Sequence, residues 1–112
     1  MAGERFGEGR VIVASMDRAQ VIGLLAARRA EVATRFGVKR LALFGSAARD
    51  ELKESSDVDM LVEFAGPATF AAYMDLKFYL EDLLGRPVDL VTDKGLRREL
   101  RPYVEKELIL VA

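Results

Sequence analysis

The sequence predicts a layered α/β or α+β domain with a small sheet. Three apolar runs, residues 40–44, 58–64 and 87–92, have the length and composition of strands. Two longer stretches, 17–36 and 69–84, carry apolar residues at helical spacing, and each is followed by a glycine, Gly37 and Gly85. Finally, 112 residues that are 51% hydrophobic suffice for one core and leave no room for a second full domain.

Taken in order, residues 1–10 hold three glycines, mixed charges and a single Phe6, the pattern of a flexible N-terminal tail. Residues 10–14 can instead form a short edge strand, so residues 1–15 are read as tail or edge strand and residues 16–112 as the domain. Met16, directly before a helix signal, is a plausible initiator. Asp17 is a capping residue with Gln20 three positions on, and Val21, Leu24, Leu25, Val32 and Phe36 form one helical stripe running to Gly37. Residues 40–44 make a buried strand that Gly45-Ser46 breaks, and Ala47, Ala48 and Arg49 follow as a brief helical turn. Residues 53–56 form a polar loop.

The next strand alternates: Val58, Met60, Val62 and Phe64 fall on one face, Asp57, Asp59, Leu61 and Glu63 on the other. Gly66-Pro67 closes it. Thr69 can cap a second long helix, whose buried stripe is Tyr73, Leu76, Leu80, Leu83 and Leu84. After the third strand, residues 96–100 and 103–107 suggest two short helices separated by Pro102, and residues 108–111 an apolar tail.

Composition narrows the chemistry. Seventeen basic and eighteen acidic residues leave a net charge of −1, which argues against stable binding of nucleic acid through bulk electrostatics. There is no cysteine, hence no disulfide or thiolate metal site, and no histidine, the commonest general base. Carboxylates must therefore carry any acid, base or metal chemistry. No apolar run is long enough to cross a bilayer, and residues 11–14 are too short for the core of a signal peptide, so the expected location is the cytoplasm.

Asp57, Asp59 and Asp89 each sit at or inside an apolar strand, where an ionised carboxylate is costly unless something compensates it. Asp-x-Asp on a strand aims two hard oxygen ligands the same way, and a third carboxylate from a neighbouring strand can complete a two-cation cluster, best suited to magnesium. Gly45 lets the main chain approach a phosphate closely, while the Ser46 hydroxyl and the N–H groups of the following turn can donate to it. Arg49, one turn after Ser46, either reaches the same phosphates or pairs with an acidic neighbour.

Gly45-Ser46, Arg49, Ser56-Asp57-Val58-Asp59 and Asp89 match position by position the motif of the minimal nucleotidyltransferases of the DNA polymerase β superfamily, which this chain resembles over residues 38–91. The resemblance implies the nucleotidyltransferase fold, a small mixed β-sheet with helices packed on it. It implies transfer of a nucleoside monophosphate from ATP to an acceptor hydroxyl, with Asp57, Asp59 and Asp89 holding two Mg2+ ions and Gly45, Ser46, Arg49 and Ser56 on the nucleotide side. It further implies a HEPN-type RNase toxin as partner and AMP transfer to a tyrosine of that toxin, so that the chain acts as its antitoxin. Two alternatives stand beside this: an antitoxin that neutralises by occlusion alone, and a transferase acting on a small molecule. Family members commonly have glycine after the arginine where this chain has Asp50, a residue type that tolerates the left-handed conformation such a turn needs.

Other charged and aromatic residues have plainer readings. Glu63 is expected at an exposed strand end, outside the metal cluster. Residues 97–101, basic but interrupted by Glu99, read as a solvated helix face. Tyr73, Phe78 and Tyr79 have the spacing of core or interface packing.

Overall fold

The computed structural model describes residues 16–53 and 55–111. Residues 1–15, read from the sequence as tail or edge strand, lie outside them. Asp17 caps helix α1 (Arg18–Ala27) as the sequence predicts: its Oδ1 accepts from the Gln20 N–H at 2.9 Å, and the Gln20 Oε1 accepts from the Asp17 N–H at 2.8 Å.

The single helix predicted up to Gly37 is in fact two. Arg28 turns out of helical geometry, its N–H bonding back to Leu25 O at 3.1 Å, and α2 (Arg29–Phe36) begins after it. Residues 26–30 are all exposed, so no core contact holds this turn in line with its neighbours. Helix α2 stops where Gly37 takes a φ of 66°, the left-handed residue its position suggested.

Strand β1 (Val38–Phe44) leads into the one-turn helix α3 (Gly45–Ala48), and β2 (Val58–Phe64) follows the loop. Helix α4 (Phe70–Leu84) is capped by the Thr69 hydroxyl, which accepts from the Ala72 N–H at 3.0 Å, and ends at Gly85. Strand β3 (Val88–Thr92), helix α5 (Arg101–Glu107) and strand β4 (Ile109–Leu110) complete the described fold. The sheet order is β3-β2-β1-β4. β1 runs antiparallel to β2 and β4, whereas β2 and β3 are parallel, with α4 as the crossover that parallel pairing requires.

One sheet face carries the main core. Leu41, Leu43, Val58, Met60, Val62, Val88 and Leu90 meet Val21 and Leu25 of α1, Val32 of α2, and Leu76, Leu80 and Leu84 of α4. This is the face the alternation in β2 assigned to Val58, Met60 and Val62; Phe64 is only partly buried at its margin. Tyr73 packs against the core and donates its hydroxyl to Leu90 O, and Tyr79 meets Phe36 with ring centroids 5.1 Å apart. Phe78 points outward, 57% exposed.

The C-terminal quarter corrects the sequence reading. Residues 96–100 form turns rather than a helix, and Pro102 does not separate two helices but lies in the first turn of α5, where a missing N–H costs nothing. The expected apolar tail is strand β4, pairing Ile109 with Leu43 and Leu110 with Ala42, and Val111 N–H bonds Leu41 O at 2.9 Å. The sheet thus has four strands, one more than the apolar runs indicated. Helix α5 packs on β1 from the face opposite the main core, where Ala42, Leu61 and Val104 are buried.

Leu80 lies fully buried where α4 meets the sheet. Leu80→Ala is expected to lower the unfolding free energy by about 2–5 kcal/mol, read as a shift of the urea midpoint with an unchanged slope. A loss below about 1 kcal/mol would mean that this layer collapses around the cavity or is not packed as described.

Candidate functional site

Strand pairing builds the site. In the β1–β2 register Phe44 lies opposite Asp59, and in the β2–β3 register Asp59 lies beside Asp89, so the end of β1 and both aspartates share one row across the sheet. Residues on one row of a sheet point to the same side, here the side opposite the main core. Gly45, directly after Phe44, turns the chain into α3 with a φ of 68°.

Gly45 is needed there for two reasons. Its φ lies in the left-handed region, and a Cβ on it would sit 2.2 Å from Asp59 Oδ2 and 3.0 Å from Asp59 Cγ. The turn and the carboxylate are therefore in direct apposition. Asp50, the departure from the family motif, adopts the expected left-handed conformation with a φ of 61°. Its Oδ1 accepts from the Arg18 N–H at 3.0 Å, committing its charge to the start of α1.

The carboxylates repel each other. Asp59 is half-buried, and its pKa is pushed up to about 6, first by burial, then by the charges of Asp89 and Asp57 and by the hydrogen bond a protonated Asp59 makes to Asp89; the Arg49 guanidinium pulls the other way. Asp59 and Asp89 are thus brought together, while Asp57 stands exposed just before β2, within electrostatic reach of Asp59. The sequence predicts three converging carboxylates, Asp57, Asp59 and Asp89. Among the described residues no group of three acidic side chains is arranged to hold a metal ion as it stands.

The nucleotide-side residues divide similarly. Ser46 is half-buried in α3, and its carbonyl accepts from the Glu51 N–H at 2.8 Å. Ser56 shapes the loop before Asp57: its Oγ accepts from the Lys53 N–H at 3.0 Å and its own N–H bonds Lys53 O at 3.0 Å. The buried Arg86 donates to the same Lys53 carbonyl, and Val58 N–H bonds Pro87 O at 3.0 Å, so this loop is anchored to the segment before β3. Glu63, expected at an exposed strand end, is partly buried and paired with Lys39 at 3.5 Å and Arg40 at 3.4 Å.

Arg49 is engaged by two acids. Its Nε donates to Glu51 Oε1 at 2.9 Å and its Nη1 to Glu107 Oε2 at 2.9 Å, contacts that raise its pKa further. The other Glu107 oxygen accepts from the Gly45 N–H at 2.9 Å. Glu107 is the residue that sequence reasoning missed: it lies at the end of α5, more than fifty positions from both partners, and nothing in local spacing signals the contact.

Two outcomes follow from Asp59 and Gly45. Asp59 binds a proton more tightly folded than unfolded, so between its ordinary range near 4 and about 6 the folded state holds more protons, and stability of the metal-free protein falls as pH rises through that window. Asp59→Asn is expected to remove that slope and to raise the unfolding free energy at pH 7 by on the order of 1 kcal/mol, allowing for solvent screening; a parallel pH profile for both proteins would contradict the assignment. Gly45→Ala is expected to cost about 1–3 kcal/mol through backbone strain. It should also displace the Asp59 carboxylate, which NMR titration of that carboxyl would register as a pKa moving from about 6 toward the ordinary value.

Comparison with known proteins places this geometry. Residues 27–111 match the nucleotidyltransferase domain family. The protein adenylyltransferase MntA of Thermococcus cleftensis is 39% identical over 92 residues, which cover 82% of this chain and 93% of that protein. A solved structure described as a minimal nucleotidyltransferase superposes with a TM-score of 0.75 at 40% identity, covering 85% of this chain and 96% of that one. A tri-AMPylated Shewanella oneidensis HEPN toxin in complex with its MNT antitoxin includes a chain with a TM-score of 0.60 at 20% identity, covering 81% of this chain and 71% of that one, a likeness of fold. Matched over most of its length, and carrying a glycine turn beside two aspartates that share one sheet row, this chain belongs to the nucleotidyltransferase domain family, among the minimal nucleotidyltransferases.

Proposed function

We propose that this nucleotidyltransferase moves AMP from ATP to a tyrosine hydroxyl of a HEPN-type toxin and thereby acts as its antitoxin. The observation that carries the reading is the row of Phe44, Asp59 and Asp89, which sets the Gly45 turn, suited to phosphate, beside two carboxylates. The name of the Thermococcus relative, a protein adenylyltransferase, and the AMPylated toxin in the Shewanella complex support the acceptor class.

Magnesium fits the donor set: the carboxylates are hard oxygen ligands, and the repulsion from Asp89 and Asp57, which adds to burial in lifting Asp59 to about 6, is what a divalent cation relieves. Asp57, Asp59 and Asp89 would hold it, and when bound it neutralises triphosphate charge and acidifies the acceptor hydroxyl. The protein's own groups do the rest. Ser46 seats the β- and γ-phosphates through its hydroxyl and main-chain N–H, while Gly45, without a side chain, lets them approach closely. Asp89, on the row's outer strand, accepts the proton from the tyrosine hydroxyl. The phenolic oxygen forms its bond to the α-phosphorus as the bond to the bridging oxygen breaks, and pyrophosphate leaves with that electron pair. Catalysis rests on positioning and charge compensation.

The second reading, neutralisation by occlusion, is favoured by one observation, the absence among the described residues of a ready three-carboxylate metal arrangement. Intact-mass measurement of the toxin after incubation with this chain, ATP and magnesium tests both. The wild-type chain is expected to add AMP, and Asp59→Asn to slow the transfer about a thousandfold or more, with Asp57→Asn similarly impaired. Toxin neutralised equally well by both variants, with no mass gain even from the wild type, would establish occlusion instead.

A further inference from the structure

Glu107 ties together two groups that the site reading places on the nucleotide side. Its Oε1 receives the Gly45 N–H and its Oε2 the Arg49 guanidinium, both at 2.9 Å. Phe44, the N-cap of α3, provides no side-chain cap, so the turn's first N–H is satisfied from the far end of the chain. One carboxylate thus holds a left-handed glycine that is pressed against Asp59, and orients the cation whose field reaches Asp59. Helix α5 is fixed in turn by its packing on β1 and α3, by the β4 pairing that follows it, and by Arg101, which pairs with Asp93 at 3.2 Å near the end of β3. The brace is anchored at both ends.

We propose that Glu107 is a positioning residue for nucleotide binding, bracing the Gly45 turn and Arg49 from the C-terminal helix so that both face the triphosphate in a fixed geometry. The inference rests on the nucleotidyltransferase reading of the Gly45 turn and the neighbouring Asp59 and Asp89. Glu107 itself touches no substrate. Its effect is on ground-state seating of the phosphates, which the transition state shares, so its loss weakens nucleotide binding more than it slows the bound complex. Glutamine in its place still accepts from the Gly45 N–H but gives up the charged contact to Arg49.

The test uses the full chain with ATP and magnesium, measuring ATP binding by calorimetry and the kinetics of AMP transfer. Glu107→Ala is expected to raise Kd and KM for ATP about tenfold while kcat falls less than about threefold, and Glu107→Gln to recover roughly half of that loss on a logarithmic scale. Glu107→Gln is nearly isosteric and keeps the proposal testable if the alanine variant does not fold. Unchanged Kd and KM in a folded Glu107→Gln, with only melting temperature or active fraction reduced, would make Glu107 a structural residue and overturn the proposal. Tighter ATP binding would overturn it in the opposite sense, marking Glu107 as a group that occupies the phosphate position. A wild-type chain that neither binds ATP with magnesium nor transfers AMP would sink the underlying reading, a result distinct from either of these.

Discussion

The apposition of the Gly45 backbone and the Asp59 carboxylate is the constraint on which the site depends. It requires strand β1 to end opposite the second residue of β2, a residue without a side chain at the turn, and a backbone φ open to few others. The register delivers all of this together, because a one-residue slip in the pairing would send Asp59 into the main core and Met60 toward the turn. The hydrophobic face of β2, with Val58, Met60 and Val62 fully covered, therefore fixes the position of the carboxylate chemistry on the other side. Core packing and site geometry are two faces of one strand.

That placement is electrostatically unfavourable for the protein alone. Asp59 meets the charges of Asp89 and Asp57, the cation opposing them is Arg49, and Arg49 is itself shared between Glu51 and Glu107. A fold selected only for stability has no reason to retain such a cluster. A site that receives a charged ligand does, since carboxylates that repel each other can be compensated once a counter-charge arrives. The strain expressed in the raised pKa of Asp59 is thus consistent with a binding function and costs the protein part of its stability at neutral pH.

The C-terminal segment has a larger part than its sequence suggests. Helix α5 packs on β1 from the sheet's second face, where Val104, Ala42 and Leu61 are buried, and its last residue returns to the glycine turn. Strand β4 then joins the outer side of β1 and holds the helix in place. The site is therefore closed by elements from opposite ends of the described chain: Asp50 ties α3 to the start of α1, and Glu107 ties it to the end of α5.

Much of this architecture was legible in the residues. The strand cores, the two long helical stretches, the Asp17 and Thr69 caps, the glycine stops and the facing of β2 follow from periodicity and local hydrogen bonding, which act over a few positions. Gly45-Ser46 and Asp57-Val58-Asp59 stood out as candidate site residues for the same reason, since their spacing along one chain segment is a local property. What no local rule contains is partnership across distance. The break at Arg28, the recruitment of Ile109 and Leu110 into the sheet, the placing of Asp89 beside Asp59, and Glu107 reaching Gly45 and Arg49 were all decided by how the elements pack. Propensity and pattern specify elements and the faces they bury; only a closed tertiary structure sets which side chains, dozens of residues apart, come within hydrogen-bond reach.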